Sequence, residues 1–189
     1  PGANRLMGQL EGMGNAALRM SCYYFELLRQ HSIPTHYIDA SLDDNTMIVK
    51  PAQTFGDGLE VICRYKAYGS FLRRYARYAA MGQDLDQFVE VTLKDDERGD
   101  PPISEEALVQ LGLITHEEYK LLRTMTQQIA GIIKQDLASR GLELFDIKFE
   151  FGRVGGEIIL IDEISGGNMR VFKDGQQVDP LELAVLVTG

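Results

Sequence analysis

The sequence predicts an α+β fold in which antiparallel sheets are flanked by helices. Three features carry that reading: strand-like pieces in succession in the first third of the chain, a glycine-turn hairpin near its end, and two long stretches of helical period. At 189 residues with 44% apolar content, the chain can bury one large core, or two smaller ones that share a boundary.

From Asn15 to Gln30, Leu18, Cys22, Phe25 and Leu28 recur at helical spacing while Arg19, Glu26, Arg29 and Gln30 supply a wetter face, so this is an amphipathic helix. Pro34 disfavours helix for the residue before it, and Thr35 to Ile38 reads as extended. Thr46 to Lys50 is a second strand and Leu59 to Tyr65, after the turn-rich FGDG, a third; the three are expected to share one antiparallel sheet. Ser70 to Met81 carries arginines and aromatics at helical spacing and stops at Gly82, followed by a polar loop. KDDERGDPP, residues 94–102, is too charged and proline-bounded for a core and reads as a surface loop. Ser104 caps a short helix that ends near Gly112, and Thr115 with Glu118 forms a capping box that opens a longer one. Tyr119, Leu122, Met125, Ile129, Ile132 and Leu137 keep the helical period until Gly141. Leu142 to Gly152 and Glu157 to Ile164 then alternate as two strands around Gly155 and Gly156.

Nineteen basic against 28 acidic residues give a net charge of −9, which opposes binding to nucleic acid and to anionic membrane surfaces. Clusters such as Arg73, Arg74 and Arg77 still make local positive ground for a small anion, although a solvated helix face is the commoner use of such a cluster. Cys22 and Cys63 are the two cysteines and offer neither a disulfide framework nor a CxxC metal pattern, which fits a reducing cytoplasm. No apolar run reaches membrane-spanning length, and PGANRLMGQLEG has neither the basic start nor the apolar core of a signal peptide. His31, His36 and His116 show no metal-ligand spacing and carry no assigned chemistry.

The chemistry concentrates in LFDIKFEFG, residues 144–152. Phe145, Ile147, Phe149 and Phe151 point to one face of a strand and Asp146, Lys148 and Glu150 to the other. The neighbouring EIILIDEIS is a nearly continuous apolar run ending in Asp162 and Glu163, as expected of a strand covered on both faces, so the charged row reads as a site. A three-residue loop, Val154 to Gly156, would place Lys148 opposite Asp162 and gather Glu150, Lys148 and Asp162 on one face. Two carboxylates beside a lysine suit a Mg²⁺-bound polyphosphate; a cross-strand ladder of ion pairs explains the same pattern equally well.

These residues resemble the SAICAR synthetase family. Its D-x-K-x-E-F-G strand is matched by Asp146, Lys148, Glu150, Phe151 and Gly152, and its D-E-[IF]-S strand end by Asp162, Glu163, Ile164 and Ser165. A second signature, E-x-x-x-R-x-x-x-x-G-S-x-x-[KR]-R, is matched by Glu60, Arg64, Gly69, Ser70, Arg73 and Arg74, and a third, K-[DN]-D-x-x-x-D-P, by Lys94, Asp95, Asp96, Asp100 and Pro101. SIPTHYID and GQLEGMGNAAL resemble the segments at and before the first strand, so the resemblance runs in order along nearly the whole chain. It implies a two-part SAICAR synthetase-like, ATP-grasp-like fold: residues 1–62 as the remainder of a smaller N-terminal ATP-binding domain whose front strands are missing, and 63–189 as a larger C-terminal domain with the substrate and Mg²⁺ site. It also implies an ATP- and Mg²⁺-dependent ligase that activates the carboxylate of an aminoimidazole ribonucleotide and joins it to aspartate. By the same resemblance Glu150 and Asp162 hold Mg²⁺, Lys148 and Asp146 face the phosphates or the imidazole nucleotide, and Arg64, Ser70 and Arg170 bind that nucleotide. Lys50 would run past the adenine, and Lys94, Asp96 and Asp100 would close over the reacting end. A homo-oligomer is implied as well.

Three departures bear on function. The phosphate-covering G-K-x-K-x-x-Y motif of the family has no counterpart in these residues, and Gly166, Gly167 and Asn168 replace the start of its P-D-x-x-R segment, although Arg170 keeps its spacing. Tyr68 replaces a small residue before Gly69-Ser70 and is expected to narrow the nucleotide pocket, while the closing helix of the family is not discernible in LAVLVTG. A non-catalytic nucleotide-binding or scaffold descendant, and a ligase for a different carboxylic acid, therefore stand beside the purine-pathway reaction.

Overall fold

The structure, a computed structural model, describes residues 13–189. The expected signal-peptide test on residues 1–12, and the part of GQLEGMGNAAL that precedes Met13, lie outside the described residues. The chain runs α1 (Met13–Gln30), β1 (Tyr37–Ser41), β2 (Thr46–Val49), β3 (Gln53–Thr54), β4 (Leu59–Lys66), α2 (Gly69–Tyr75), β5 (Asp84–Leu93), α3 (Glu105–Gln110), α4 (His116–Ser139), β6 (Glu143–Val154), β7 (Glu157–Ile161), β8 (Met169–Lys173), β9 (Gln176–Gln177) and α5 (Pro180–Thr188).

The strands form two sheets, not the single early sheet expected. β1 and β2 make a separate antiparallel ribbon, whereas β4 joins a seven-stranded sheet in the order β5-β4-β6-β8-β9, with β3 and β7 also paired to β6. β4 was separable from β1 and β2 only by its burial: it is apolar on one face and buried on both, while Ile48 and Val49 of β2 are exposed. β4 runs unbroken across residues 62 and 63, pairing with β5 and β6 on either side of that point.

Two further expectations needed correction. The helix expected over 70–81 ends at Tyr75, and residues 76–78 form a turn before Gly82, whose N–H donates to the Ala67 carbonyl at 2.9 Å. The polar loop expected after Gly82 is the ten-residue strand β5. Its alternation is interrupted where Arg64 pairs with Phe88 but Lys66 pairs with Asp84, and Gln87 takes a positive φ of 47° at that bulge. A broken period-two pattern with three acidic residues hides a strand from a pattern reading.

The core lies under the apolar face of the large sheet. Helix α4 opens with the expected capping box, Thr115 Oγ accepting from the Glu118 N–H and the Glu118 carboxylate accepting from the Thr115 N–H. Its buried stripe of Leu122, Met125, Ile129, Ile133 and Leu137 joins Val61, Cys63, Val91, Ile147 and Phe149 of the sheet in one cluster, each side chain contributing roughly 1.5–3 kcal/mol by burial. In α1 the stripe is turned relative to the expected one: Met20, Tyr24, Phe25 and Leu28 are fully buried, while Leu18 and Cys22 are half-buried. The chain end is helical after all. Asp179 caps α5 by accepting from the Leu181 N–H at 2.9 Å, Pro180 occupies the first turn, and α5 packs on α1.

Candidate functional site

One face of the sheet is apolar and the other is charged. Opposed residues in a ladder point to the same face, and β4 places Glu60, Ile62 and Arg64 opposite Glu150, Lys148 and Asp146 of β6. On the other side of β4, Thr92 and Glu90 of β5 oppose Glu60 and Ile62, and Arg170 of β8 opposes Asp146 of β6. Period-two alternation on four neighbouring strands thus makes a continuous polar floor, and α2 and the 94–102 loop form walls around it.

The floor and walls enclose a cleft of about 570 Å³. Arg64, Arg73, Arg74, Arg98, Lys148 and Arg170 line it against three carboxylates, those of Glu60, Asp100 and Asp146. A chain of net charge −9 therefore carries a cleft with a cationic excess, which is anion-binding ground. Ser70, Gly167 and Asn168 complete the relevant wall.

The charged groups hold one another in place. Arg64 is 2% exposed and its guanidinium donates to Asp146 at 3.1 Å, to Ser70 Oγ at 2.8 Å and to the Glu90 carboxylate. Arg170 donates to the same Asp146 oxygen at 2.8 Å, so one buried carboxylate orients two arginine forks. Burial pushes the Asp146 carboxyl up, and Arg170 and Arg64 counter it. Lys148 donates to Glu60 at 2.6 Å and Thr92 Oγ to the other Glu60 oxygen at 3.0 Å. Arg74 pairs with Glu90 at the wall. Arg73 makes no ion pair among the described residues and lines the cleft. The acids that pair with Arg64 are Asp146 and Glu90, not Glu60 on the same face of its own strand.

At the end of the charged row, Lys94 donates to Glu150 at 2.7 Å. Asp162 is placed differently from the expected register. Val154 pairs with Glu157 across a two-residue Gly155-Gly156 turn with φ of 58° and 84°, so the three-residue loop does not form and Asp162 is not opposite Lys148. That register alone would send Asp162 to the apolar side. Strand β7 ends at Ile161, and Asp162 adopts a left-handed φ of 66°, which turns it out of the ladder. Its charge then bears on Glu150, whose carboxyl is raised first by burial and next by Asp162 after the Lys94 bond, and the same charge helps raise Lys94. The register that the sequence suggested for that convergence does not form.

Other assigned residues are distributed as follows. Asp100 lines the cleft with a positive φ of 50°, and its Oδ1 accepts from the Asp95 N–H at 2.9 Å, which closes the 94–102 loop on itself. Asp96 starts a single 3₁₀ turn, Asp96–Arg98, and is exposed. Lys50 is exposed and outside the cleft lining; its backbone N–H donates to the His36 carbonyl at 2.7 Å. Tyr68 is not among the residues that line the cleft, but it stands behind one of them: its ring packs edge-on against Phe145 and Phe172, centroids 5.9 and 5.5 Å away, on the Arg170 side of the sheet, and the Arg170 guanidinium lies over it at 5.5 Å. Glu60 and Glu90 were given no role from the sequence. The strand order β5-β4-β6 brings them in, and alternation counted from Arg64 would have found both once β5 was recognised.

Comparison with known proteins decides the family. The sequence profile described as SAICAR synthetase matches residues 3–182. The chain belongs to the SAICAR synthetase family. The phosphoribosylaminoimidazole-succinocarboxamide synthase of Clostridium tetani is 57% identical over 189 residues, which is 99% of this chain and 83% of that one. The enzyme of the same description from Pyrobaculum calidifontis is 38% identical, covering 89% of this chain and 69% of its own. Among solved structures, a SAICAR synthetase in complex with ADP superimposes with a TM-score of 0.84 at 32% identity over 91% of this chain and 73% of that one. The SAICAR synthetase of Pyrococcus horikoshii gives 0.83 at 31% identity over 91% and 75%. The family's α+β architecture is thus the architecture of this chain.

Proposed function

We propose that this SAICAR synthetase family chain joins aspartate to carboxyaminoimidazole ribonucleotide at the expense of ATP, releasing ADP and phosphate, a step of purine biosynthesis. The observation that carries it is the cationic cleft, with Arg64, Lys148 and Arg170 on its floor and Ser70 in its wall, continued along the same strand by Glu150 with Lys94 bonded to it. Relatives matched over 83% and 69% of their own length bear the name phosphoribosylaminoimidazole-succinocarboxamide synthase, and one solved relative is described with ADP bound.

In the proposed reaction a carboxylate oxygen of the ribonucleotide attacks the γ-phosphoryl group, ADP departs, and an acyl phosphate forms. The aspartate amine then attacks the acyl carbon, loses a proton, and expels phosphate to leave the amide. Arg64 and Arg170, oriented by Asp146, offer paired donors to the ribonucleotide's phosphate or carboxylate, and Ser70 adds a hydroxyl. Lys148 places a point charge where negative charge builds on the transferring group. Lys94 and Asp100, at the loop wall, would close over the reacting end, and Lys50 would lie along the adenine.

The chemistry of the donor set fits Mg²⁺. Among the described residues no cluster of three or more His, Cys, Asp and Glu side chains is arranged to hold a metal, but this cation commonly takes one or two carboxylates and completes its shell with water and substrate phosphates. Glu150, at the end of the charged row, and Asp162, turned out of the end of β7, would supply such a pair. When bound, Mg²⁺ would offset charge on the transferring phosphoryl group. As a functional division, a boundary between β2 and β3, where the backbone leaves the ribbon for the large sheet, fits the hydrogen bonding better than one at residue 62. No described helix is long and apolar enough to cross a membrane, and a cytoplasmic place follows from the proposed metabolic role. A homo-oligomer is part of the proposal, with Tyr78 and Met81, 85% and 71% exposed, as an available surface; sedimentation would test it.

The test is product formation followed by mass spectrometry with ATP, Mg²⁺, aspartate and the ribonucleotide. The amide is expected with the native protein and lost with Glu150→Ala; formation undiminished in that variant would remove Glu150 from the mechanism.

A further inference from the structure

Asp162 is a non-glycine residue held at a φ of 66°, a conformation that costs about 1–2 kcal/mol for ordinary side chains and less for aspartate. That conformation turns Asp162 out of the ladder, in whose register its side chain would face the apolar side, so a contact that holds the turn is part of how the residue is placed. The residue in contact is His36. Its Nε2 lies 3.0 Å from the Asp162 carbonyl oxygen, and since a carbonyl can only accept, the proton is on Nε2.

His36 is itself fixed on every side. It is 8% exposed, and its ring lies against Phe25 with centroids 5.5 Å apart. Its N–H donates to the Leu160 carbonyl at 2.9 Å and its own carbonyl accepts from the Lys50 N–H at 2.7 Å. The Leu160 N–H in turn donates to the Pro34 carbonyl at 3.0 Å, so residues 34–36 run as a parallel edge beside Leu160. One residue thus ties the β1–β2 ribbon to the last turn before the carboxylate pair.

We propose that His36 is a positioning residue: its Nε2–H holds the left-handed turn at Asp162 and thereby sets the divalent-cation and nucleotide site, while touching neither ligand. This rests on the metal role proposed for Asp162. The experiment is Mn²⁺ binding in the presence of ADP, followed by loss of the free-ion electron paramagnetic resonance signal. His36→Phe keeps a ring but has no donor, and His36→Gln puts an amide N–H near the place of Nε2. A hydrogen bond of ordinary net strength corresponds to roughly a five- to tenfold loss of Mn²⁺ affinity in His36→Phe, with His36→Gln recovering to within about twofold of the native protein. Ribonucleotide affinity is expected to stay within about twofold in both, since the cleft floor does not touch His36. Equal effects of Phe and Gln, or a loss of ribonucleotide affinity as large as that for Mn²⁺, would overturn the proposal. If His36→Phe fails to fold, His36→Met replaces it, again without a donor, and the same criteria apply. Asp162→Ala separates the two readings: native Mn²⁺ binding in that variant defeats the metal assignment, whereas weakened binding there with native Mn²⁺ binding in His36→Phe defeats the role of His36 alone.

Discussion

Gly69→Ala should unseat Arg170 without unfolding the protein. Gly69 has a φ of 55°, and a Cβ placed there would lie 2.1 Å from Arg170 Nη1, 2.6 Å from its Cζ and 2.7 Å from its Nη2. These are atoms at the tip of a flexible side chain, so the guanidinium moves and the backbone stays. Forcing alanine into left-handed backbone costs about 1–2 kcal/mol. Breaking the Arg170–Asp146 bond adds roughly 1 kcal/mol, less than a fully buried charged bond because Arg170's side chain is 33% exposed and Asp146 keeps Arg64. At about 2–4 °C per kcal/mol for a chain of this size, the total of about 2–3 kcal/mol lowers Tm by roughly 4–12 °C. Loss of one charge-assisted contact to the ribonucleotide, about 1.5–3 kcal/mol, weakens its binding roughly ten- to a hundredfold. Calorimetric melting and a ribonucleotide titration read the two effects separately. A lowered Tm with unchanged ribonucleotide affinity would refute Arg170 as a ligand, and no change in either would refute the close approach itself.

Lys148→Met is expected to lower turnover by about 10²-fold or more, as for other removed transition-state donors, in a protein whose circular dichroism is native; a loss under about threefold would exclude Lys148 from charge stabilisation. Glu150 has a raised pKa in the folded state, from burial first, so the folded protein binds more protons there than the unfolded chain above the ordinary value of 4.5. Its contribution to stability therefore falls as pH rises from 4.5 through the folded pKa, and Glu150→Gln should gain in Tm relative to the native protein across that window and level off above it. A flat difference across pH in metal-free melts would contradict the assigned burial. Thr115→Ala, at the N-cap of α4, should cost about 1 kcal/mol, seen as a Tm roughly 2–4 °C lower with turnover at 25 °C unchanged.

Local chemistry made much of this fold legible. The Thr115–Glu118 capping box, the Ser104 cap and the Gly155-Gly156 hairpin each depend on a few adjacent residues, and each forms where the sequence places it. Strand β5 was hidden because its bulge at Gln87 breaks the alternation, and α5 because an apolar nine-residue run with a proline at its start reads as easily as strand. For the site, Asp146, Lys148 and Glu150 are placed on one face by period two alone, which needs no tertiary information. Glu60 and Glu90 depend on strand order, which is long-range. Asp162 depends on a backbone reversal at one residue, and His36 on a parallel edge between segments more than 120 positions apart; neither leaves a periodic trace in the sequence.

The most direct test of the account is ADP release with ATP, Mg²⁺ and aspartate, measured with and without carboxyaminoimidazole ribonucleotide. The arrangement of Arg64, Arg170, Lys148 and the Glu150–Asp162 pair predicts release that depends on the ribonucleotide and stops with Glu150→Ala. Release indifferent to the ribonucleotide, or none at all from a protein that binds both nucleotides, would contradict it.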